Sequence, residues 1–484
     1  MNRRMSSTLA AERPRIWPLL AGALAGAAIV LPAAAGEPFD PFQTDAALHQ
    51  RTPGLNDPIG RDCAPPIGAL TFAAAVDLAL CRNPSTRAAW AAAREQAAAL
   101  GIAESAYMPQ VGATGAGLRQ FGDHADANGN IVSSDQNTTD AALNLSWTLY
   151  DFGARSGRIK SARRLLDAAA ANASSVVQQT VLSVVQSYYG VVAADANLLA
   201  AKITETVSRH SFEIARSLRE GGAGTIADVL QAETAWDQAV LTRVQADAAA
   251  KTARGTLAVT LGLPADQMLT LDAAPIPTEV PALTARMADL MAEATRQRPD
   301  LAAAQAQRDA AEANITVARA AGRPSISVSA GRDFIDTTGV PHQNYSLIGV
   351  NVTVPIFTGF NVSYGVRQAQ AALEASEANA EQVRLGVSLG VWSAYSALDS
   401  ANQQLAVTAA LSKTAEDNEQ AAIGRYQAGV GTIIDVLTAQ TGAAVARQVR
   451  NSVELGWRVA RAQLALALGR LSGAEPLDDR AALP

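Results

Sequence analysis

The chain repeats itself in a fixed register, and that repeat limits what it can fold into. Leu149-Tyr150 aligns with Ile356-Phe357, Gly222 with Gly429, Asp228-Val229-Leu230 with Asp435-Val436-Leu437, and Leu261-Gly262 with Leu468-Gly469, every pair 207 positions apart. Upstream, Pro84 aligns with Pro299 and Pro109 with Pro324 at an offset of 215, so each copy places its second proline 25 positions after its first. The eight-residue difference between the two offsets falls between Pro109 and Tyr150. Because the register fixes Gly, Pro and Asp as well as the abundant Ala, the fold is built from two copies of one supersecondary unit.

Each copy opens with a helical stretch between its two prolines, the second of which stops it. The period then changes to two. Ala141 to Leu149 carries its large apolar residues at odd positions, and Ser325 to Ala330 and Ile348 to Val354 alternate in the same way. This predicts two strands per copy around a polar loop, Gly122 to Asn137 in the first and Asp336 to Asn344 in the second. An uninterrupted helical run follows, Ala154 to Glu220 and Asn361 to Ala428, with no proline. The first of these holds 67 residues, or roughly 100 Å at 1.5 Å per residue, longer than a globular core requires. Each ends at a glycine turn, Gly221-Gly222-Ala223-Gly224 or Gly429-Val430-Gly431, and a return helix of 35 residues closes at Leu-Gly. The proline-to-proline helix can stack end to end with that return helix, giving antiparallel helix hairpins side by side. Such close packing accounts for the Ala-rich, aromatic-poor composition (5% Phe, Trp and Tyr).

Strands of about 9 to 11 residues with one apolar and one small polar face suit a tilted membrane strand around a water-filled lumen. Four strands per chain cannot close a barrel, whose smallest members have eight, so several chains must contribute. A soluble sandwich would need another sheet to cover them, and the sequence offers none.

At the amino terminus a basic stretch with Arg3, Arg4, Arg13 and Arg15 precedes an apolar stretch from Leu19 to Leu31 and Ala33-Ala34-Ala35. This reads as a cleaved signal over residues 1–35; the apolar stretch is shorter than the roughly 20 residues of a spanning anchor. The two cysteines, Cys63 and Cys81, can pair in an oxidising compartment, closing a loop worth roughly 3 kcal/mol on the chain-entropy estimate; the alternative is two unrelated buried thiols. The net charge of −6, without a basic face, excludes nucleic acid as a partner. Neither a Gly-x-Ser-x-Gly elbow nor a His-x-x-x-His pair is present among the four histidines, so no enzyme, cofactor or metal site is expected.

The opening Leu70 to Pro84, the junctions Leu149-Tyr150-Asp151-Phe152-Gly153 and Ile356-Phe357-Thr358-Gly359, and the tip Arg425 to Leu437 together resemble the TolC family of outer-membrane factors. The resemblance spans about residues 68 to 470. It implies a mainly helical fold with a membrane β-barrel: a homotrimer with a twelve-stranded barrel in the outer-membrane lipid and a helical tube across the periplasm. The tube would dock on a periplasmic adaptor and an inner-membrane ABC or other pump. The implied organisation is a signal (1–35), an amino-terminal periplasmic segment (36–67), a first repeat (68–263), a linker in an equatorial belt (264–283), a second repeat (284–470) and a tail (471–484).

The function so implied is a passive exit duct, outer-membrane-located and without enzymatic chemistry. The Cys63/Cys81 pair and the lack of a lipid-anchoring cysteine point to a type I secretion member, similar to the exporter of an RTX-class adenylate cyclase toxin (cyclolysin). The alternatives are the channel of a multidrug or metal efflux pump and, further off, a coiled-coil structural protein without a pore. At the tip the resemblance implies a gate made by Tyr426 bonding Asp228, and an acidic constriction ring at Asp435. The resemblance also implies that Gly221, Gly222, Gly224, Thr225, Gly429, Gly431 and Thr432 form the surface that meets the adaptor. Where relatives carry a latching arginine and a second aspartate ring, this chain has Gly431 and Thr438. Both aspartates could instead serve as helix caps after the glycine turns.

Overall fold

A computed structural model describes residues 39–52, 63, 68–125, 127, 129–272 and 286–471. The expected signal, part of the linker and nearly all of the tail lie outside the described residues. From Phe42 onward the chain forms one unit. Its elements are α1 (Thr44–Arg51), α2 (Phe72–Arg82), α3 (Pro84–Ser105), β1 (Gln110–Ala125), β2 (Ile131–Tyr150), α4 (Ala154–Glu220) and α5 (Ile226–Thr260), followed by α6 (Met287–Gln297), α7 (Pro299–Ala320), β3 (Ser325–Thr337), β4 (Gln343–Thr353), α8 (Asn361–Gln427) and α9 (Ile433–Ala467). The repeat is reproduced in length, with 67 residues in both α4 and α8, 35 in both α5 and α9, and 22 in both α3 and α7.

Local chemistry explains the breaks between helices. Pro84 and Pro299 occupy the first turns of α3 and α7, where a missing N–H does no harm. Asn83 caps α3 by accepting from the Ser85 amide at 2.8 Å, and its Nδ2 donates to the Thr260 carbonyl at the end of α5 (2.9 Å). In the second copy Arg298 takes that place, reaching the Ala467 carbonyl at the end of α9 at 3.5 Å. The closing glycines are required by this end-to-end contact. A Cβ on Gly262 would lie 2.7 Å from the Arg82 carbonyl oxygen, and one on Gly469 2.7 Å from that of Gln297, and both residues have φ near +75° (+74° and +77°). Thus α3 continues the line of α5, and α7 that of α9, each pair running beside one long helix.

The largest buried cluster sits around the middle of α4, where Leu70, Val76, Val184, Val185, Tyr188, Leu257 and Leu261 pack together. Leu70 bridges Leu271 in parallel, and the Tyr188 hydroxyl lies 3.0 Å from the Leu70 carbonyl and 2.8 Å from that of Asp272. Burial pushes that phenol up to about 12, so it remains a donor. Trp457, Val391 and Leu468 fill the equivalent place between α8 and α9.

The four strands form one antiparallel sheet in the order β1-β2-β3-β4. By register, Leu145, Ala330 and Ile348 share one face with Trp147, Val328 and Val350, while Ser146, Ser329 and Gly349 share the other. The apolar face is exposed along the sheet, at Leu143, Trp147, Ile348, Val350 and Val352. No described helix is long and apolar enough to cross a membrane.

The strands correct the expected hairpins. β1 and β2 continue through the stretch Gly122 to Asn137, pairing Gly122 with Ser134 and His124 with Val132, and the connections shrink to residues 126–130 and 338–342. The eight extra residues of the first copy therefore lengthen strands instead of a loop. The reason lies in cross-strand chemistry, since Arg119 makes a two-pronged ion pair with Asp135 (2.9 and 2.7 Å) and Ser133 bonds Asp123. Beyond the Thr138–Thr337 pair, β2 no longer has β3 beside it.

Candidate functional site

The two turns that join the paired long helices are built alike. In the first, the Ala223 and Gly224 amides both donate to the Leu218 carbonyl (2.8 and 3.1 Å), with Gly222 at φ +78°. In the second, the Val430 amide donates to the Arg425 carbonyl (3.0 Å), with Gly429 at φ +73°. Gly224 and Gly431 are needed for closeness: a Cβ would lie 3.0 Å from the Arg219 nitrogen and 3.2 Å from the Tyr426 nitrogen, respectively. A side chain at position 431 would crowd that turn by a few tenths of an ångström.

Both aspartates complete capping boxes whose N-caps are Thr225 and Thr432. Thr225 Oγ1 accepts from the Asp228 amide (3.2 Å) while Asp228 Oδ2 accepts from the Thr225 amide (3.0 Å). Thr432 and Asp435 do the same at 3.2 and 3.0 Å, and the Thr432 hydroxyl is also 2.8 Å from Asp435 Oδ2. Those bonds from Thr432, with help from the charge of Arg425, hold the Asp435 carboxyl below the usual carboxylate range.

Tyr426 does not bond Asp228 in this protomer. Its ring is buried with Ile433 and Val436 of α9 and with Ala215 and Val229 of the first hairpin, and its hydroxyl has no partner among the described residues. Burial, and then the charge of Asp228, raise its pKa. Asp228 is instead turned to its own helix start, where its Oδ2 receives the Thr225 amide.

The turns differ in what surrounds them. Ile433 is 2% exposed, whereas its counterpart Ile226 is 50% exposed. The hairpins touch through Gln440 Nε2 donating to Ser211 Oγ at 2.7 Å and through the Gln427 amide nitrogen 3.4 Å from His210 Nε2. Two to three turns before Tyr426 along α8, Glu416 and buried Glu419 accept from Arg447 of α9, at 3.0 and 2.6 Å. Sequence reasoning missed this partly buried triad and also Arg155, which joins β2 to α4. The usable signal was divergence between copies: Arg447, Glu419 and Arg155 stand opposite Val240, Phe212 and Val362.

Far from the tip, Cys63 and Cys81 form a disulfide with Cα atoms 6.1 Å apart, and Arg82 Nη1 donates to the Cys63 carbonyl at 3.0 Å. The cross-link ties the segment before the first repeat to α2.

Comparison with known proteins gives consistent relatives. The outer membrane efflux protein family matches residues 75–263 and 290–470, one span in each repeat. Protein CyaE of Bordetella pertussis is 31% identical over 397 residues, 80% of this chain and 82% of that protein. Outer membrane protein TolC of Vibrio cholerae is 24% identical over 389 residues, 78% of this chain and 86% of that protein. Among solved structures, the outer-membrane channel OprN superposes with a TM-score of 0.72 at 23% identity, covering 82% of this chain and 89% of that one. The outer membrane protein VceC of Vibrio cholerae does so at 0.71 and 18%, covering 82% and 96%.

Proposed function

Because this chain belongs to the outer membrane efflux protein family, we propose that it is the outer-membrane exit duct of a tripartite export machine, three copies of which enclose one passage. It conducts cargo passively, without enzymatic chemistry, from a periplasmic adaptor and an inner-membrane pump to the outside. The observation that carries this reading is a four-stranded sheet, too small to close, with a bare apolar face at one end of two long helix hairpins. Lipid covers the apolar face, and the sheets of three chains make twelve strands.

Within this class, protein secretion is favoured over drug or metal efflux. The similarity to Protein CyaE, at 31% identity, exceeds that to the outer membrane efflux protein BepC of Brucella suis at 26%. The gate lies at the turns. Tyr426 packs the second turn shut through apolar contact, with Asp228 as its electrostatic neighbour, and Asp435 from three copies forms an acidic ring that selects cations. The adaptor meets the glycine turns, Gly221 to Thr225 and Gly429 to Thr432.

Purified in detergent, the protein should have the native mass of a trimer and form channels in a planar bilayer. Asp435→Ala should reduce their cation preference severalfold. A water-soluble monomer overturns the duct, and a trimeric channel with unaltered selectivity in Asp435→Ala confines Asp435 to capping.

A further inference from the structure

The apolar face of the sheet carries one charge that the chain does not balance. Going from the helix end towards the connection 338–342, that face pairs Ile326 with Val352, Val328 with Val350 and Ala330 with Ile348 across β3 and β4. The next pair on the same face is Arg332 with Ser346, and the one after it Phe334 with Asn344. On the other side, Arg332 has Leu143 of β2 beside it. The remaining charged side chains of this face lie nearer the hairpin ends, and each has its partner within the chain: Arg119 with Asp135, Asp336 with His342, and Asp123 with Ser133. Arg332 is exposed and makes neither a hydrogen bond nor an ion pair among the described residues. Its guanidinium carbon lies 5.1 Å from the centroid of the Phe334 ring, the next residue of that face towards the connection. The stem thus lies on apolar surface, and the charge rests against an aromatic ring at the outer border of the apolar band.

We propose that Arg332, with Ser346 and Asn344, binds a phosphate of a phosphorylated glycolipid in the outer leaflet of the outer membrane. A lipid-facing cation is costly at the bilayer centre and is tolerated where a headgroup supplies the missing anion. In the duct the helices occupy the periplasm, so the connection 338–342 points outwards and Arg332 stands on the outer-leaflet side. Its forked guanidinium matches two phosphate oxygens at once. Ser346 and Asn344 are exposed on the same face, opposite Arg332 and Phe334. Directly opposed side chains start about 4.5–5.5 Å apart, close enough for the serine hydroxyl and the arginine to share one anion. Acyl chains then run along Ile348, Val350 and Val352, which are exposed on the helix side of Arg332. The occupant is a glycolipid because the face turns polar just beyond this level. Asn344, Asp336 and Thr139 stand there, groups suited to sugar hydroxyls and unsuited to hydrocarbon. The inference rests on the membrane duct proposed above and adds to it the lipid that its wall holds.

The test uses the full-length protein in detergent, incubated with lipid A, with the lipid retained per protein read by native mass spectrometry. Arg332→Gln should retain about tenfold less than the parent, the scale of a lost charge-assisted hydrogen bond. Arg332→Lys, which keeps the charge and loses the fork, should fall between the two. Ser346→Ala should lower retention about threefold, as for one neutral bond. Arg119→Gln, whose charge is already paired, should match the parent, and dephosphorylated lipid A should bind the parent no better than lipid A binds Arg332→Gln. If Arg332→Gln has the native mass of a trimer and retains as much lipid A as the parent, the phosphate site is overturned and the duct stands. Equal retention of phosphatidylglycerol and lipid A by the parent overturns the choice of a glycolipid. A parent protein that takes up no detergent and has the mass of a monomer defeats the duct itself.

Discussion

The two strand-to-helix joints solve the same geometric problem with opposite chemistry. Each enters its long helix through two residues of positive φ, Phe152 and Gly153 at 50° and 102°, Gly359 and Phe360 at 59° and 66°. At the first joint Arg155 is buried, with Nη1 donating to the Thr148 carbonyl (2.6 Å), Nη2 to that of Leu149 (3.0 Å) and Nε to Asp151 (3.0 Å), its guanidinium 4.3 Å from the centre of the Tyr107 ring. At the second, Val362 stands in place of Arg155 and Gly322 in place of Tyr107, and Val362 Cγ1 lies 2.9 Å from where a Cβ on Gly322 would be. The difference follows from the sheet. The β2–β3 ladder slips between Thr148 and Tyr150, and two carbonyls at this slip point towards a donor that only a long forked side chain can supply. Where no such slip occurs, close apolar contact suffices.

The sharpest way to break this comparison is Arg155→Val, which gives the first joint the side chain of the second. It leaves the Thr148 and Leu149 carbonyls without their donor and Asp151 without its cation, and on the scale of broken buried ion pairs should cost about 3–5 kcal/mol. Val362→Ala, which removes two methyl groups from the second joint, should cost about 1–2 kcal/mol. Thermal unfolding of the detergent-solubilised protein measures both, and equal losses would show that the guanidinium does no more than fill space. Arg155→Lys should recover little, because a point charge cannot reach two carbonyls and a carboxylate together.

How far the sequence foretold this fold can be read from the same two copies. The helices were legible because their boundaries rest on proline, glycine and period: Ala154–Glu220 is found as expected, and α8 stops at Gln427, one residue before the expected end. The outer ends of β1 and β2 were not, because a strand with water on both faces loses the alternation that identifies strands, and Asp123 and Asp135 read as loop. At the tip, the residue types marked the turns, but whether Asp228 reaches for Tyr426 or for the Thr225 amide is a matter of side-chain direction, which spacing does not encode. Arg155 was legible in principle. It and Tyr107 depart from their counterparts together, the mark of two residues that touch.

A second comparison lies inside the helix hairpins. Between α8 and α9, half-buried Arg447 pairs with buried Glu419 and with the more exposed Glu416, and Arg447 Nη1 and Glu419 Oε1 have no partner among the described residues. Between α4 and α5 the same places hold Val240 and Phe212, the latter stacked on Trp236 with ring centroids 5.5 Å apart. Arg447→Val alone strands a buried carboxylate and should cost about 3 kcal/mol, whereas Arg447→Val with Glu419→Phe, which copies the first hairpin, should fall within about 1 kcal/mol of the parent. Thermal unfolding of the parent, Arg447→Val, Glu419→Phe and the double variant gives the coupling directly. Additive losses would mean that the pair is not coupled and that the hairpins differ in composition only.

The smallest expected effect concerns the turns, which share the same capping box. Thr432→Ala should weaken the start of α9 by about 1 kcal/mol, seen as lost hydrogen-exchange protection at Asp435 and Val436. The acid dependence follows from the carboxyl. Asp435 is held below its ordinary value by Thr432, so its contribution is complete above the ordinary carboxylate pKa and disappears as pH falls through the lowered one. Protection factors at Val436, corrected for intrinsic exchange, should therefore drop as pH is taken from neutral to well below 4, and in Asp435→Asn that acid-dependent part of the drop should be absent. If the variant loses protection with the same pH profile as the parent, the titrating group lies elsewhere. The second turn would then owe its acid response to something other than the box it shares with the first.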